Sequence, residues 1–317
     1  MTATPDPWRD PALDASERVD TLLEQMSLAE KVAQLGSYWP QPDRTPDAGD
    51  VAPMEHAFPV GQRSPEEALA QGLGHVTRVF GTAPTDPVDG MARVRALQGL
   101  AAGSRLGIPV IVHEECLTGF TTHGATTYPA PLAWGATFDD DLVREMAAAI
   151  GADMAAVGVQ QGLAPVLDVV RDYRWGRVEE SIGEDPYLVA TVATAYVEGL
   201  QSAGVIATLK HFAGYSASRA GRNHAPVSIG VRELNDVILP PFEMAVRRGH
   251  AGSVMNSYTD LDGVPAAIHD YMLGTVLREQ WGFAGAVVSD YWSIPFLDLM
   301  HRVTPDRAAS GEAALRA

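Results

Sequence analysis

The sequence is poor in cysteine and in basic residues, and it contains no long hydrophobic run. Cys116 is the only cysteine among 317 residues, so no disulfide can form within the chain, as is usual in a reducing compartment. Lysine and arginine number 23 against 40 acidic residues, a formal net charge of −17. This charge argues against nucleic acids and anionic membranes as partners, because both need basic patches. No run of about 18 apolar residues is present, so no membrane-spanning helix is predicted.

Several functional signatures are also missing. The N-terminus has neither the basic nor the apolar region of a signal peptide, which predicts a cytoplasmic protein. No G-x-G-x-x-G follows a strand and no P-loop occurs, which disfavours nucleotide-binding folds. Zinc is not expected, since there is no H-E-x-x-H and one cysteine. Without a G-x-S-x-G elbow a Ser-His-Asp site is not supported either. We therefore predict no metal and no cofactor.

The sequence does contain a long alternation of short apolar runs and helical patterns. Apolar, β-branched runs lie at 73–80, 108–113, 162–170, 204–212, 251–257 and 283–290. Helical patterns between them include 139–158, 185–204, 231–250 and 269–283. Continuous apolar strands alternating with helices indicate a parallel sheet covered by helices. The count and length predict the α/β class, as a (β/α)8 TIM-type barrel over 15–317, with irregularity allowed for in its first strands.

Outside this alternation, residues 1–14 are predicted to form an extended lead-in, and residues 40–65 are loop-like. Two helix starts are marked locally. Ser27 with Glu30 forms a capping box, and Asp185 followed by Pro186 is an N-cap with proline at the first helical position. The last segment, "TPDRAASGEAALRA", predicts the beginning of a further helix.

Polar residues cluster where the predicted strands end. The five tips are His113-Glu114-Glu115, Asp168 with Arg171 and Asp172, Lys210-His211, Met255 to Tyr258, and Ser289-Asp290. Asp290 alone would suit a helix cap. Strand ends of a parallel barrel, however, lie on one face, where barrel enzymes build their sites, so five such tips favour a catalytic or ligand role. Adjacent strand residues face opposite sides. Hence one of Glu114 and Glu115 is expected in the site, and Lys210 and His211 both reach it only if the strand has ended.

At these residues the sequence resembles glycoside hydrolase family 3, the β-glucosidase and β-xylosidase family, over residues 8–317. The segments that carry the resemblance are "RVDTLLEQMSLAEKVAQL", "RLGIPVIVHEECLTGF", "PVLDVVRDYRWGRVEESIGEDPYLV", "KHFAGYS", "VMNSYTDLDGVPA" and "GFAGAVVSDYWSI". The resemblance implies that Asp290 is the catalytic nucleophile. It implies that Glu115, at a position that is usually Asp, holds hydroxyls of the sugar at subsite −1. Thr118 replaces a histidine common in the family.

The resemblance implies further substrate-binding positions. Arg177, Lys210 and His211 match residues that grip the remaining hydroxyls. Met255 and Tyr258 match pocket-wall residues, and Tyr291 stands where the family often has Trp. The substrate implied is a terminal β-D-glucosyl or β-D-xylosyl residue of an oligosaccharide or aryl glycoside, with the choice between the two sugars left open.

The family hydrolyses with retention of configuration, which needs a nucleophile and an acid/base. We expect Asp290 to stay ionised because nearby Lys and Arg lower its pKa. In two-domain members the acid/base is a Glu of a following α/β-sandwich domain. The sequence stops at Ala317, before any such domain, and we expect it to be a piece of a longer protein. By itself it is expected to form an incomplete catalytic barrel whose open face favours association between copies of the chain. Alternatives are a non-catalytic sugar-binding barrel, or an enzyme like the single-domain β-N-acetylhexosaminidases that uses His224 as acid/base.

Overall fold

A parallel β-sheet forms the centre of the computed structural model, which describes residues 6–40 and 63–317. Seven strands lie in the order β1-β2-β3-β4-β5-β6-β9, and every neighbouring pair is parallel. Their bounds are Ser37–Tyr38, His75–Thr77, Ile111–Glu114, Gln161–Gly162, Ile206–Phe212, Ser253–Asn256 and Ala286–Ser289. The sheet curls into an α/β barrel-like fold. The predicted class is therefore confirmed, but the described part of the chain has seven strands in this sheet rather than eight.

Helices follow the strands and cover the outside of the sheet. The α-helices before β5 are Ala15–Gln25 (α1), Leu28–Gln34 (α2), Pro65–Leu69 (α3), Pro87–Ala102 (α4), Pro131–Thr137 (α5), Asp140–Ala156 (α6) and Pro186–Ser202 (α7). Those after β5 are Val231–Glu233 (α8), Leu239–Arg247 (α9), Ser293–Leu299 (α10) and Arg307–Arg316 (α11). A small antiparallel hairpin of Asp260–Leu261 (β7) and Val264–Pro265 (β8) follows β6. No helix in the described ranges is long and apolar enough to cross a membrane.

The predicted helix starts are confirmed by their hydrogen bonds. Ser27 and Glu30 form both bonds of the capping box at the start of α2. Asp185 accepts from the backbone N–H of Leu188 at the start of α7, with Pro186 in the first turn. The last segment forms α11, with Asp306 as its N-cap. Local side-chain chemistry thus fixes where these helices begin.

Three segments are less regular than their patterns predict. The helix predicted at 269–283 is a π-helix over Tyr271–Gln280. The helix predicted at 231–250 is interrupted by a π-helical stretch, Leu234–Ile238, before α9. Pro240 and Pro241 explain this, because each lacks an N–H and crowds the carbonyl four residues earlier. In the run at 162–170 only the first residue belongs to β4, and Pro165 lacks the N–H that a central strand would use.

The N-terminal region packs against the barrel. The predicted lead-in is not extended throughout, since Pro7–Arg9 forms a 3-10 helix. Trp8 is buried with Met26 and Leu106, and this apolar contact explains why the segment turns inward. The loop predicted at 40–65 lies mostly outside the described residues.

Candidate active site

The carboxyl ends of all seven strands of the sheet supply side chains to one region. In strand order these are Trp39, Arg78, Glu115, Asp168, the Lys210-His211 pair, Tyr258 and Asp290. They lie far apart in the chain, but parallel strands bring their ends to the same face of the barrel. Sequence reasoning identified this face, though it did not single out Trp39 or Arg78.

Asp290 lies buried at the end of β9, with 5% of its surface exposed. One of its oxygens, Oδ1, accepts a 2.8 Å hydrogen bond from the backbone N–H of Tyr291. Its side chain does not cap α10, because that helix begins at Ser293 with Trp292 as N-cap and without a side-chain capping bond. The carboxylate is therefore available to the site.

The expected pKa of Asp290 was wrong in direction. Burial raises the pKa of this carboxyl above its ordinary value. Arg177 and Lys210 lower it, as do Tyr258 and the Tyr291 N–H, but these groups offset the burial only in part. The prediction counted the nearby cations and left out the loss of water around the charge.

Glu115 is paired directly with Lys210. The Nζ atom of Lys210 lies 2.9 Å from Oε2 of Glu115, and the hydroxyl of Tyr291 donates to Oε1 at 3.0 Å. Burial raises the pKa of Glu115, but Lys210 and Arg78 together with the two hydrogen bonds lower it to about 2. Glu115 is thus an ionised acceptor at neutral pH, suited to accept hydrogen bonds from hydroxyl groups.

The neighbouring Glu114 points away from this pair. Its two oxygens accept the backbone N–H groups of Phe80, at 2.7 Å, and Gly81, at 3.1 Å. Burial raises the pKa of Glu114 to about 8 despite those bonds. It therefore ties β3 to the loop after β2, and Glu115 is the one of the two acids that faces Lys210.

Lys210 and His211 both face the site although β5 continues to Phe212. The expectation that the strand must already have ended was wrong. Instead, the pairing register between β5 and β6 shifts between Leu209 and Phe212. Such an irregularity redirects side chains within a strand. Lys210 reaches Glu115, while Nε2 of His211 lies 3.9 Å from Oδ2 of Asp290.

Arg177 lies near Asp290, where it lowers the pKa of that carboxyl. Two of its guanidinium nitrogens donate to the two oxygens of Glu180, each at 2.7 Å. The guanidinium also lies 5.5 Å above the ring centre of Tyr215. The bidentate pair fixes the orientation of Arg177.

Aromatic residues form one wall of the site. Trp175, Tyr215, Tyr258, Trp292 and Phe296 make a buried cluster. Met255 is buried in β6, where it pairs with Val288 of β9. Burial raises the pKa values of Tyr215 and Tyr258 in this cluster, and the nearby charge of Asp290 raises them further, so aromatic surface lies beside the carboxylate.

His224 packs against the same wall. Its ring lies 4.8 Å from that of Tyr258 and 5.5 Å from that of Phe296. Its Nε2 atom lies 3.2 Å from the amide nitrogen of Asn223. Burial lowers its pKa, and two basic residues, Arg177 and His301, lower it further. In residues 6–40 and 63–317 no ion pair joins His224 to a carboxylate.

Trp39 packs against Tyr291, which bonds to Glu115 in the site. Its ring centre lies 5.0 Å from that of Tyr291, and its Nε1–H donates to Thr82 at 2.7 Å. Trp39 follows β1 and Tyr291 follows β9, so this contact joins the two edges of the sheet at its carboxyl end. Arg78, after β2, lies close enough to Glu115 and Tyr291 to lower the pKa of Glu115.

Within the described ranges, no three His, Cys, Asp or Glu side chains are placed to hold a metal ion. The site is instead a set of acids, bases and aromatic rings at the barrel mouth. These side chains can form hydrogen bonds with the hydroxyl groups of a ligand, and the buried carboxylate of Asp290 can then lie against a carbon atom of that ligand.

Comparison with known proteins identifies the family. The model of the glycosyl hydrolase family 3 N-terminal domain matches residues 27–317. The chain belongs to glycosyl hydrolase family 3. A β-xylosidase of Formosa agariphila is 40% identical over 234 residues, which are 69% of this chain and 32% of that protein. A periplasmic β-glucosidase of Salmonella typhimurium is 30% identical, over 94% of this chain and 36% of that protein.

Solved structures give the same family 3 barrel. A β-glucosidase from Erythrobacter marinus has 36% identity and a TM-score of 0.86, and the match covers 98% of this chain and 41% of that one. A β-glucosidase from Listeria innocua, solved in complex with glucose, has 30% identity and a TM-score of 0.78, over 94% of this chain and 40% of that one. The chain thus spans about a third to two fifths of the length of these family 3 relatives.

Proposed function

We propose that this chain is the catalytic barrel of a retaining, exo-acting β-glycosidase for terminal β-D-glucosyl or β-D-xylosyl residues. The observation that carries the proposal is the environment of Asp290, a buried carboxylate at the barrel mouth beside Arg177, Lys210 and His211. The relatives named β-glucosidase and β-xylosidase support the substrate class.

Asp290 is the proposed nucleophile. Its carboxylate attacks the anomeric carbon, the bond to the leaving-group oxygen breaks, and a glycosyl-enzyme ester forms. The bond from Tyr291 N–H to Oδ1 orients the group and leaves Oδ2, on the side of His211, for the attack. Burial raises the basicity of this carboxylate, which favours bond formation with carbon once the sugar has displaced water.

The remaining side chains hold the sugar. Glu115 and Lys210 form an acceptor and a donor only 2.9 Å apart, so they suit two neighbouring hydroxyl groups. Arg177 and His211 lie on the Asp290 side and suit hydroxyls nearer the reacting carbon. Hydrogen bonds that strengthen as positive charge develops on the sugar ring lower the barrier.

Protonation of the leaving group needs a second group. Three described carboxylates of the site are already engaged, since Glu115 pairs with Lys210, Asp168 with His211, and Glu180 with Arg177. We therefore propose that the acid/base lies outside this set. The absence of a general acid typically slows hydrolysis about 10²–10⁴-fold, whereas substrates with good leaving groups remain reactive.

The test is intact-protein mass spectrometry after incubation with 2-fluoro glycosides that carry a good leaving group, in glucosyl and xylosyl forms. A fluorine at C2 slows breakdown of the intermediate, and the leaving group needs no protonation. We expect a mass gain equal to one fluoro-sugar, mapping to Asp290 after proteolysis. The sugar that reacts faster gives the preference.

Two variants control the experiment. Asp290→Asn removes the nucleophile and should give no adduct. Asp298→Asn changes an acid of α10, which pairs with Arg302 at 3.7 Å, and should react like the wild type. If folded wild-type protein gives no adduct with either sugar but binds the sugars, the barrel is a binding module and the proposed function is wrong.

A further inference from the structure

Asp168 is one of the strand-end acids to which the resemblance assigns no role, and its side chain contacts His211 directly. Its Oδ2 atom accepts the backbone N–H of His211 at 3.1 Å and lies 2.8 Å from Nδ1 of the imidazole. On the other side of the ring, Nε2 lies 3.9 Å from Oδ2 of Asp290. The two carboxylates and the imidazole thus form a line, and all three are buried.

The surroundings of His211 decide how many protons the ring carries. Burial lowers the pKa of this imidazole well below its ordinary value, and the charges of Arg177 and Lys210 lower it further. Asp168 and Asp290 oppose these cations from either side of the ring, and Tyr215 packs edge-on with its ring centre 5.0 Å away. Burial and the two cations together favour the neutral imidazole, which carries one N–H.

The geometry also decides which nitrogen carries that proton. Oδ2 of Asp168 already accepts the backbone N–H of His211, so a second donor at Nδ1 suits the same oxygen. Nε2 has no partner within hydrogen-bond distance in the described part of the chain, since 3.9 Å to Asp290 is too long. In neutral histidine, donation by one nitrogen leaves the other as an acceptor.

We propose that Asp168 is a positioning residue that holds His211 as the neutral Nδ1–H tautomer, with the lone pair of Nε2 turned toward the space beside Asp290. The lone pair then accepts a hydrogen bond from a sugar hydroxyl and gives no proton to Asp290. The opposite tautomer would direct an N–H toward the nucleophile, stabilise its negative charge and thereby lower its basicity. This consequence for catalysis rests on the proposed function, but the tautomer itself does not.

The tautomer is measured directly by NMR of protein labelled with ¹⁵N at histidine, at pH 8 and without ligand. His211→Gln identifies the signals of His211 by their loss. We expect a protonated Nδ1 and an Nε2 with the shift of a lone-pair nitrogen. Wild-type His211 with a protonated Nε2, or protonated on both nitrogens, would overturn the proposal. This result needs no turnover, so it stands apart from failure of the proposed function.

Asp168→Asn tests whether the carboxylate is the cause. An amide oxygen is an uncharged and weaker acceptor, so we expect part of the population to move to the Nε2–H tautomer. In the same variant, adduct formation with the 2-fluoro glycoside should slow about 10²-fold, the scale of a small misplacement at a reacting centre.

The matched control is Asp298→Asn, which changes an acid of α10 that pairs with Arg302 and lies outside the strand ends, and it should change neither readout. A slower Asp168→Asn variant whose His211 tautomer is unchanged would refute positioning. An altered tautomer with an unchanged rate of adduct formation would refute the proposed consequence for catalysis. If Asp168→Asn does not fold, the wild-type spectrum alone decides between the tautomers.

Discussion

Replacing Lys210 by methionine tests how much the buried ion pair between Lys210 and Glu115 contributes to stability. Methionine keeps a long flexible side chain but removes the cation that lies 2.9 Å from Glu115. Only 5% of the Lys210 side chain and 21% of the Glu115 side chain are exposed, so water cannot fully replace the lost partner. We expect a large loss of stability, because a buried charge without its partner is strongly unfavourable.

Two independent routes give the size of this effect. The pKa of Glu115 falls from 4.5 to about 2 on folding, which corresponds to about 3 kcal/mol at about 1.4 kcal/mol for each pKa unit. Lys210 is the strongest of the groups that lower this pKa. Breaking a buried ion pair on one side typically costs about 3–5 kcal/mol. We therefore expect Lys210→Met to lower the free energy of unfolding by about 3 kcal/mol at pH 7.

The sign of the pH dependence follows from the direction of the shift. Because the folded pKa of Glu115 lies below its unfolded value, its contribution to stability is complete above about pH 4.5 and is lost as the pH falls toward 2. As far as Glu115 is concerned, the difference in free energy of unfolding between the wild type and Lys210→Met should therefore be constant between pH 5.5 and 8. It should shrink below pH 4.5, where the variant can protonate Glu115.

Urea unfolding followed by fluorescence of the six tryptophans measures these differences. The double variant Lys210→Met with Glu115→Gln removes both charges and should recover about 2 kcal/mol relative to Lys210→Met alone. Arg316→Met breaks an exposed pair with Glu312 and should cost less than about 0.5 kcal/mol. If the double variant is no more stable than Lys210→Met, the loss comes from packing and the reasoning fails.

Three further predictions concern packing and protonation. Gly199→Ala should destabilise the protein by more than about 2 kcal/mol, because the added Cβ would lie 2.2 Å from a carbonyl oxygen of α6. The added Cβ of Gly99→Ala has no neighbour within 4 Å, so this variant should be more stable than the wild type by about 0.5–1 kcal/mol. Thermal unfolding of both variants tests the prediction, and equal effects on stability would contradict it. Trp39→Ala should cost about 1–2 kcal/mol, with Trp39→Phe retaining most of the contact to Tyr291, as measured by urea unfolding; equal losses in the two variants would contradict a ring contact. The raised pKa of Glu114 should make stability fall as the pH rises from about 4.5 to 8, and a Glu114→Gln variant with the same pH slope as the wild type would contradict this.

Much of the fold could be predicted because its signals are local and repeated. Short apolar runs and helical patterns gave the α/β class, and capping residues such as Ser27 and Asp185 marked helix starts within one residue. The site face followed from topology, since parallel strands end on one side. The convergence of five strand ends favoured a site role for Asp290 over a helix cap, and the structure excludes the cap because Trp292 occupies the cap position of α10.

The parts that could not be predicted depend on contacts between distant segments. Trp39 follows a strand of only two residues, too short to leave a pattern, and its contact with Tyr291 spans almost the whole described chain. Arg78 follows a strand of three residues and gives no distinctive signal. The orientation of Lys210 and His211 depends on a register shift against β6, which a strand's own alternation cannot reveal.

The distribution of cations in the site explains why two nearby acids end with opposite pKa shifts. Lys210 bonds directly to Glu115, and Arg177 bonds through two nitrogens to Glu180. Each cation is thus committed to another carboxylate and acts on Asp290 only through space, which is too weak to offset burial. Glu115 is therefore stabilised as a permanent acceptor, while Asp290 keeps a more basic and less solvated oxygen. The first arrangement suits the role in sugar binding that we propose for Glu115, and the second suits the role of nucleophile that we propose for Asp290.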